Sequence, residues 1–221
     1  EDLGLVPEGF RQEMAARGLY GYSVLQYEKD SGGAFLPPER LRAQSLACFG
    51  THDTPTLAGF WQARDIAWWE RLGWIAPQEA AQAVDQRTDE KRQLAGLPAP
   101  EPLPQRAGAG LRDAIHATLA GSPAALVAVQ LDDILCIEDA QNLPGTVTSY
   151  PNWRQRLPVG AAWIDRVPLR DPDGFWSALA DVGGAEFVAF GHVHQRFRAR
   201  YRGTSCMAAP STAANSLPGT P

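Results

Sequence analysis

The sequence is poor in cysteine, carries no excess of positive charge and has no unbroken apolar stretch long enough to cross a bilayer. Its three cysteines, Cys48, Cys136 and Cys206, are odd in number, widely spaced and set among apolar neighbours. That pattern builds no disulfide scaffold and reads as buried, reduced thiols of a cytoplasmic protein. The formal net charge is −5, so the basic face of a nucleic-acid binder is missing. The longest uncharged run, Ala114 to Leu131, is interrupted by Gly121-Ser122-Pro123. It reads as a helix end, a turn and a strand, not as a membrane span. No basic segment precedes an apolar one at Glu1-Asp2, so no secretory signal is read.

Glycine and proline are plentiful, at 21 and 18 residues. This exceeds ordinary globular usage and suits a loop-rich protein better than a helical bundle. Hydrophobic residues at 44% and charged residues at 20% are ordinary values, which excludes collagen-like, coiled-coil and wholly disordered chains. A length of 221 residues allows one large domain or one and a half, with a sizeable core.

Along the chain, strands and helices alternate. Pro7 to Arg17 has helical spacing of Phe10, Met14 and Ala15, with Gly18 to stop it. Tyr20 to Tyr27 is rich in β-formers, Ser45 to Phe49 is a short apolar run, and Ala124 to Gln130 is the clearest buried strand. Helices are expected over Thr56 to Leu72, Pro77 to Leu94 and Leu111 to Ala120, and a Pro-rich loop over Leu97 to Pro104. Gln141 to Trp153 is irregular and polar, as functional loops are. After that come Ala162 to Asp165, a helix from Pro172 to Ala180, a strand from Glu186 to Phe190, and a small, polar end from Ser211 to Pro221. The alternation predicts an α/β fold with a parallel sheet.

Two acidic motifs, Glu1-Asp2 and Thr51-His52-Asp53, are each expected at the carboxyl end of a strand, where parallel barrels place their reacting groups. Paired carboxylates are what glycosidic bond cleavage needs: one protonates the leaving oxygen and another attacks or stabilises the oxocarbenium-like centre. On spacing alone, a solvated acidic terminus and a turn aspartate explain the same residues. Trp61 is either a sugar-stacking platform or a core aromatic at helical spacing.

The wording of these segments is more specific. EDLGLVPEGFRQEMAARGLYGYSVLQYEKD, FLPPE, QSLACFGTHDTPTLAGFWQARDI and NLPGTVTSYPNWRQRL, in that order, resemble the 4-alpha-glucanotransferase (amylomaltase) family over residues 1–157. The resemblance implies the C-terminal part of a (β/α)8 barrel, from the end of strand five to strand eight. It implies retaining transfer of α-1,4-glucan segments from maltodextrin or starch-derived oligosaccharide, without a cofactor. Carried over residue by residue, Glu1 is the general acid/base, Asp53 the carboxylate that stabilises the transition state, and His52 a hydrogen-bonding imidazole. Asn142, Pro144 and Gly145 belong to the sugar-binding loop. The family's nucleophilic Asp lies on an earlier strand that these residues do not include, so no transfer is expected from them alone.

A second pattern is Gly191-His192-Val193-His194, whose imidazoles at i and i+2 of an extended segment share a side. A polar strand end explains it equally well. The surrounding text, PVGAAWIDRVPLRDPDGFWSALADVGGAEFVAFGHVHQRFRARYRG, resembles the end of calcineurin-like metallophosphoesterases, of the cyclic-AMP phosphodiesterase kind, over residues 158–221. The resemblance makes His192 and His194 metal ligands. The two divalent metals of such a centre are expected only in an intact phosphoesterase, because its other ligand motifs are missing from this sequence. Three readings follow: a glucanotransferase portion, a metal-dependent cyclic-nucleotide phosphodiesterase, and a non-catalytic chimera of two partial folds. A partial barrel also leaves sheet edges in need of partners. The oligomeric state is not legible.

Overall fold

The computed structural model describes residues 2–96, 102–156, 158, 187–193, 197–201 and 204–210. Its centre is a parallel sheet. Strands β1 (Gly21–Val24), β2 (Ser45–Cys48) and β3 (Leu126–Gln130) lie side by side in register, with Val24 opposite Cys48 and Leu46 opposite Leu126. These are the short apolar runs that fit a sheet covered by helices. The strand expected to reach Tyr27 stops at Val24, and Leu25–Tyr27 closes into one turn of 3-10 helix.

The sheet continues beyond β3. Strand β4 (Phe187–Val193) pairs in parallel with β3 from Leu126–Phe187 to Gln130–Gly191. Strand β6 (Thr204–Pro210) lies parallel to β4, and β5 (Phe197–Tyr201) closes the edge antiparallel to β6. The edge that a partial barrel would leave open at β3 is therefore covered. The strand expected to end at Phe190 runs three residues further, because Gly191 is still paired to Gln130. The segments expected at 162–165, 172–180 and 211–221 lie outside the described residues.

Four helices occupy the crossover between β2 and β3: α2 (Leu57–Trp61), α3 (Arg64–Arg71), α4 (Pro77–Gly96) and α5 (Ala109–Ala120). A short helix, α1 (Phe10–Ala16), precedes β1, and α6 (Leu131–Ile134) follows β3 without a break. Helix α5 buries Leu111, Ile115 and Leu119, an i, i+4, i+8 stripe. With Leu25, Phe49, Leu57, Leu94 and Val127 they form one apolar core. Among the described residues no helix is long and apolar enough to cross a membrane.

The single helix expected over Thr56 to Leu72 is two helices. Ala63 takes a left-handed conformation, φ 53°, at a cost of about 1 kcal/mol for a residue with a Cβ. Tertiary contacts hold it there. Ala63, Ile66 and Ala80 pack into a small second cluster, and one buried guanidinium ties three helices together. Arg87 on α4 donates to the Phe60 carbonyl at the end of α2 at 2.9 Å, to both Asp65 oxygens at the start of α3 at 3.0 and 2.8 Å, and to Glu90 at 3.0 Å. It also lies over the Phe60 ring, 3.9 Å from the centroid. Lys29 joins the network through Glu90 at 2.6 Å.

Removing the guanidinium strands the buried Asp65 carboxylate and leaves Glu90 with Lys29 alone. Arg87→Ala is expected to lower unfolding stability by about 3 kcal/mol, read as a shift in urea midpoint. A loss no larger than that of a surface substitution would show that the network contributes little.

Candidate functional site

The exit of β2 is a tight polar turn. Thr54 donates its amide and hydroxyl to the Thr51 carbonyl at 3.2 and 3.0 Å, and its hydroxyl oxygen accepts the Thr51 amide at 2.8 Å. Gln26, just after β1, donates to the Pro55 carbonyl at 2.9 Å and braces the turn from the neighbouring strand. Gly50 is required by this crowding: a Cβ there would lie 2.6 Å from the Gln26 amide nitrogen and would strike the Thr54 hydroxyl. The turn presents His52 and Asp53 half-exposed, with the imidazole Nε2 3.4 Å from an Asp53 oxygen.

The exit of β3 brings the second half. After α6 the chain returns as a loop in which the Asn142 amide donates to Asp53 Oδ1 at 2.6 Å. Leu143-Pro144-Gly145-Thr146 is a turn closed by the Thr146 amide on the Leu143 carbonyl at 3.2 Å, with Gly145 at φ 86°. Proline second and a positive-φ glycine third is the type II pattern. Asn152 clamps this turn by accepting from the Leu143 amide at 2.9 Å and donating to the Thr146 carbonyl at 3.0 Å. The next residue, Trp153, donates its amide to the Gln141 carbonyl at 2.8 Å. Its ring stands 5.6 Å from that of His52, tilted by 46°.

Between the two exits lies a cleft of ≈ 180 Å³. Trp68 meets Tyr150 edge to face in its wall, with ring centroids 4.8 Å apart. Arg64 holds Asp139 through Nε and an Nη nitrogen at 3.1 and 2.7 Å. Burial, with the Asp139 charge adding to it, pushes the Tyr150 hydroxyl up to about 12, so it acts as a neutral hydrogen-bonding group. Below the cleft, burial raises the Asp132 carboxyl, against the 2.8 Å bond that Gln141 donates to it. Burial also pushes the Cys48 thiol up to about 12. Cys48 and Cys136 are free thiols. A half-exposed carboxylate, an amide, an imidazole and aromatic faces around one cleft suit a ligand with many hydroxyls and apolar faces between them.

Five of the sequence-derived site residues thus meet in this one cluster: His52, Asp53, Asn142, Pro144 and Gly145. Glu1 lies outside the described residues. Its neighbour Asp2 is 1% exposed, and residues 2–9 form no strand. The Asp2 carboxylate accepts from the Tyr22 amide at 2.6 Å, near the amino end of β1, and from Arg42 and Arg11 at 2.5 and 3.2 Å. Trp61 is 1% exposed and donates its indole N–H to the Pro104 carbonyl at 2.8 Å, which makes it a core residue. His192 sits within β4, one residue past the Gln130–Gly191 pair, and His194 lies outside the described residues. Among the described residues no group of three or more His, Cys, Asp or Glu side chains gathers as a metal site.

Sequence reasoning missed Trp153, Trp68, Tyr150 and the Arg64–Asp139 pair. An aromatic residue in a polar loop was a signal for Trp153. No local signal joins Arg64 to Asp139, which lie 75 residues apart.

A family model described as 4-alpha-glucanotransferase matches residues 1–161. The chain belongs to the 4-alpha-glucanotransferase family. A 4-alpha-glucanotransferase of Mycobacterium tuberculosis is 35% identical over 191 residues, 82% of this chain and 24% of the relative. This chain therefore spans about a quarter of the length of such relatives. The crystal structure of an amylomaltase from Corynebacterium glutamicum superposes with a TM-score of 0.66 at 28% identity, over 82% of this chain and 28% of that one. The family's amylomaltase-like α/β architecture with a parallel sheet is the one described above. A shorter similarity joins the chain to a 3',5'-cyclic adenosine monophosphate phosphodiesterase of Vibrio vulnificus, 38% identical over 56 residues, 25% of this chain and 20% of that protein.

Asp2 supplies a pH dependence. Its burial would raise the carboxyl, but the Arg42 bond, the Tyr22 amide and Arg11 hold it below the ordinary carboxylate range. A depressed carboxyl stabilises the fold above its unfolded-state value of about 4, and that stability is lost as pH falls further through the folded value. Chemical denaturation between pH 5 and pH 2 is expected to show a falling limb below about pH 4 that Asp2→Asn flattens. An unchanged limb in the variant would assign the acid sensitivity elsewhere.

Proposed function

We propose that the Asp53 cluster binds α-1,4-glucan segments, as maltodextrin or starch-derived oligosaccharide, and is the sugar-holding, charge-stabilising part of a transferase site whose nucleophilic carboxylate these residues do not include, so that the residues alone bind glucan without transferring it. The observation that carries this reading is the 2.6 Å hydrogen bond from Asn142 to Asp53. It unites two polar motifs 89 residues apart at the exits of adjacent parallel strands, where this type of fold gathers its chemistry. In this reading Asp53 accepts hydrogen bonds from adjacent sugar hydroxyls. Its charge stabilises the positive charge that develops at the anomeric carbon as the glycosidic bond breaks. Asn142 fixes the carboxylate's orientation and His52 binds a further hydroxyl. The Pro144-Gly145 turn forms the wall of the sugar site. Glu1 is the group that would protonate the leaving oxygen and later deprotonate the acceptor hydroxyl. The chemistry draws on carboxylates and asks for no cofactor.

A second reading concerns the segment from residue 158 onward. The phosphodiesterase similarity supports His192 and His194 as relics of a metal-binding pair. Two imidazoles do not complete a dinuclear centre, so no phosphodiester step is derived from them.

The glucan reading is tested by calorimetric titration of the chain with maltotriose. Asp53→Ala is expected to weaken binding by about tenfold or more, as loss of a charge-assisted contact does, and Asn142→Ala by about fivefold. Binding unaffected by either substitution would remove Asp53 from the sugar site.

A further inference from the structure

We propose that Trp74 is a distal stacking platform for the glucan chain, reached from the Asp53 cleft across the Leu143–Thr146 turn. The inference rests on the glucan reading above and adds to it a residue that sets chain-length preference.

Trp74 follows α3 and is held in place by the helix end. The Gly73 amide donates to the Glu70 carbonyl and the Trp74 amide to the Trp69 carbonyl, each at 2.9 Å, with Gly73 at φ 70°. This is the Schellman arrangement, in which a left-handed glycine stops the helix. A residue in that position ordinarily packs back onto the helix, yet Trp74 is 47% exposed. It stands in an open groove of ≈ 850 Å³ whose lining mixes Ile75 and Pro77 with Glu70, Arg71 and Glu79.

Trp74 is joined to the cleft by a glycine. A Cβ on Gly145 would lie 3.3 and 3.6 Å from two carbons of the Trp74 ring. The turn therefore rests directly on the indole. Its Leu143-Pro144 side lines the Asp53 cleft. Between the two cavities stands α3: Arg71 lies over the Trp68 ring at 4.7 Å, and Trp68 is the aromatic wall of the cleft. Two half-exposed aromatic surfaces thus border the residues of the cluster, Trp153 with its ring 5.6 Å from that of His52 and Trp74 against Gly145. A lone exposed aromatic needs no explanation. One in a groove with polar side chains, touching a turn that lines the Asp53 cleft, suits a polymer of pyranose rings, whose C–H faces are apolar and whose rims carry hydroxyls. Glu70, Arg71 and Glu79 offer partners for those hydroxyls.

The test is calorimetric titration of the unsubstituted chain, Trp74→Ala, Trp74→Phe and Asp53→Ala with maltotriose and with maltoheptaose. Trp74→Ala is expected to weaken maltoheptaose binding about fivefold, the effect of one aromatic contact, while maltotriose stays within about twofold. Trp74→Phe should restore most of the loss, and Asp53→Ala should weaken both ligands. Far-UV circular dichroism checks that each variant folds. Maltoheptaose binding to Trp74→Ala as tight as to the unsubstituted chain overturns the inference alone. So does an equal loss of both ligands, which makes Trp74 a support of the cleft. An unsubstituted chain that binds neither glucan overturns the reading of the Asp53 site, and this inference with it.

Discussion

The site depends on a buried clamp between the exits of β2 and β3. Asp133, 2% exposed, accepts the Leu57 amide at 2.7 Å. One residue earlier, Thr56 donates its hydroxyl to the Ile137 carbonyl at 2.5 Å and accepts the Gly59 amide at 2.9 Å. The beginning of α2 is thereby capped twice, once by its own threonine and once by a carboxylate from α6. A negative charge so deep is costly unless surrounded by donors. His116 supplies a ring nitrogen 3.6 Å from the second oxygen, and Arg112 stands beside it, donating to the Ile134 carbonyl at 2.6 Å. If this clamp failed, the two loops would part, and Asn142 would have no fixed relation to Asp53.

Above the clamp, polarity and exposure are graded. Groups at the strand ends are buried and neutral or paired: the Cys48 thiol is held protonated, and Asp132 is bonded to Gln141. Groups one turn further out, His52 and Asp53, are half in water. An exposed carboxylate can exchange water for sugar hydroxyls at little desolvation cost, whereas one at the depth of Asp133 could not. The rigid base and the accessible rim therefore do different work. The base fixes the distance between motifs, and the rim meets the ligand.

How much of this was legible in the sequence depended on whether the cause was local. The runs at Ser45 and Ala124 became β2 and β3 because apolar residues of β character suit a buried parallel strand. Pro77-Gln78-Glu79 opened α4 because its signals lie within one turn: Glu79 accepts the Ala76 amide at 2.7 Å. The Pro144-Gly145 turn was equally local. Ala63 was not, since an alanine in the left-handed region is imposed by Arg87, Asp65 and the Ile66 cluster. The contacts of Asp2 were not legible for the same reason, its partners Tyr22 and Arg42 being 20 and 40 residues away. The site residues were legible as motifs and their contacts were not. Nothing near Asp53 announces Asn142, and nothing near Gly145 announces Trp74.

The extension of the sheet past β3 follows from the same physics. An uncovered β3 would present a row of unpaired amides and carbonyls, next to valines packed on one side. Phe187 to Phe190 has the composition that such an edge accepts, and with Gly191 it pairs in the parallel sense at five matched positions from Leu126 to Gln130. Parallel pairing has a geometric consequence. Strand exits that run in one direction end on one side of the sheet, so the register position of His192, just beyond Gly191, falls on the side from which the Asp53 turn and the Asn142 loop depart. A sheet of this kind brings the exit of each parallel strand it adds to the same edge.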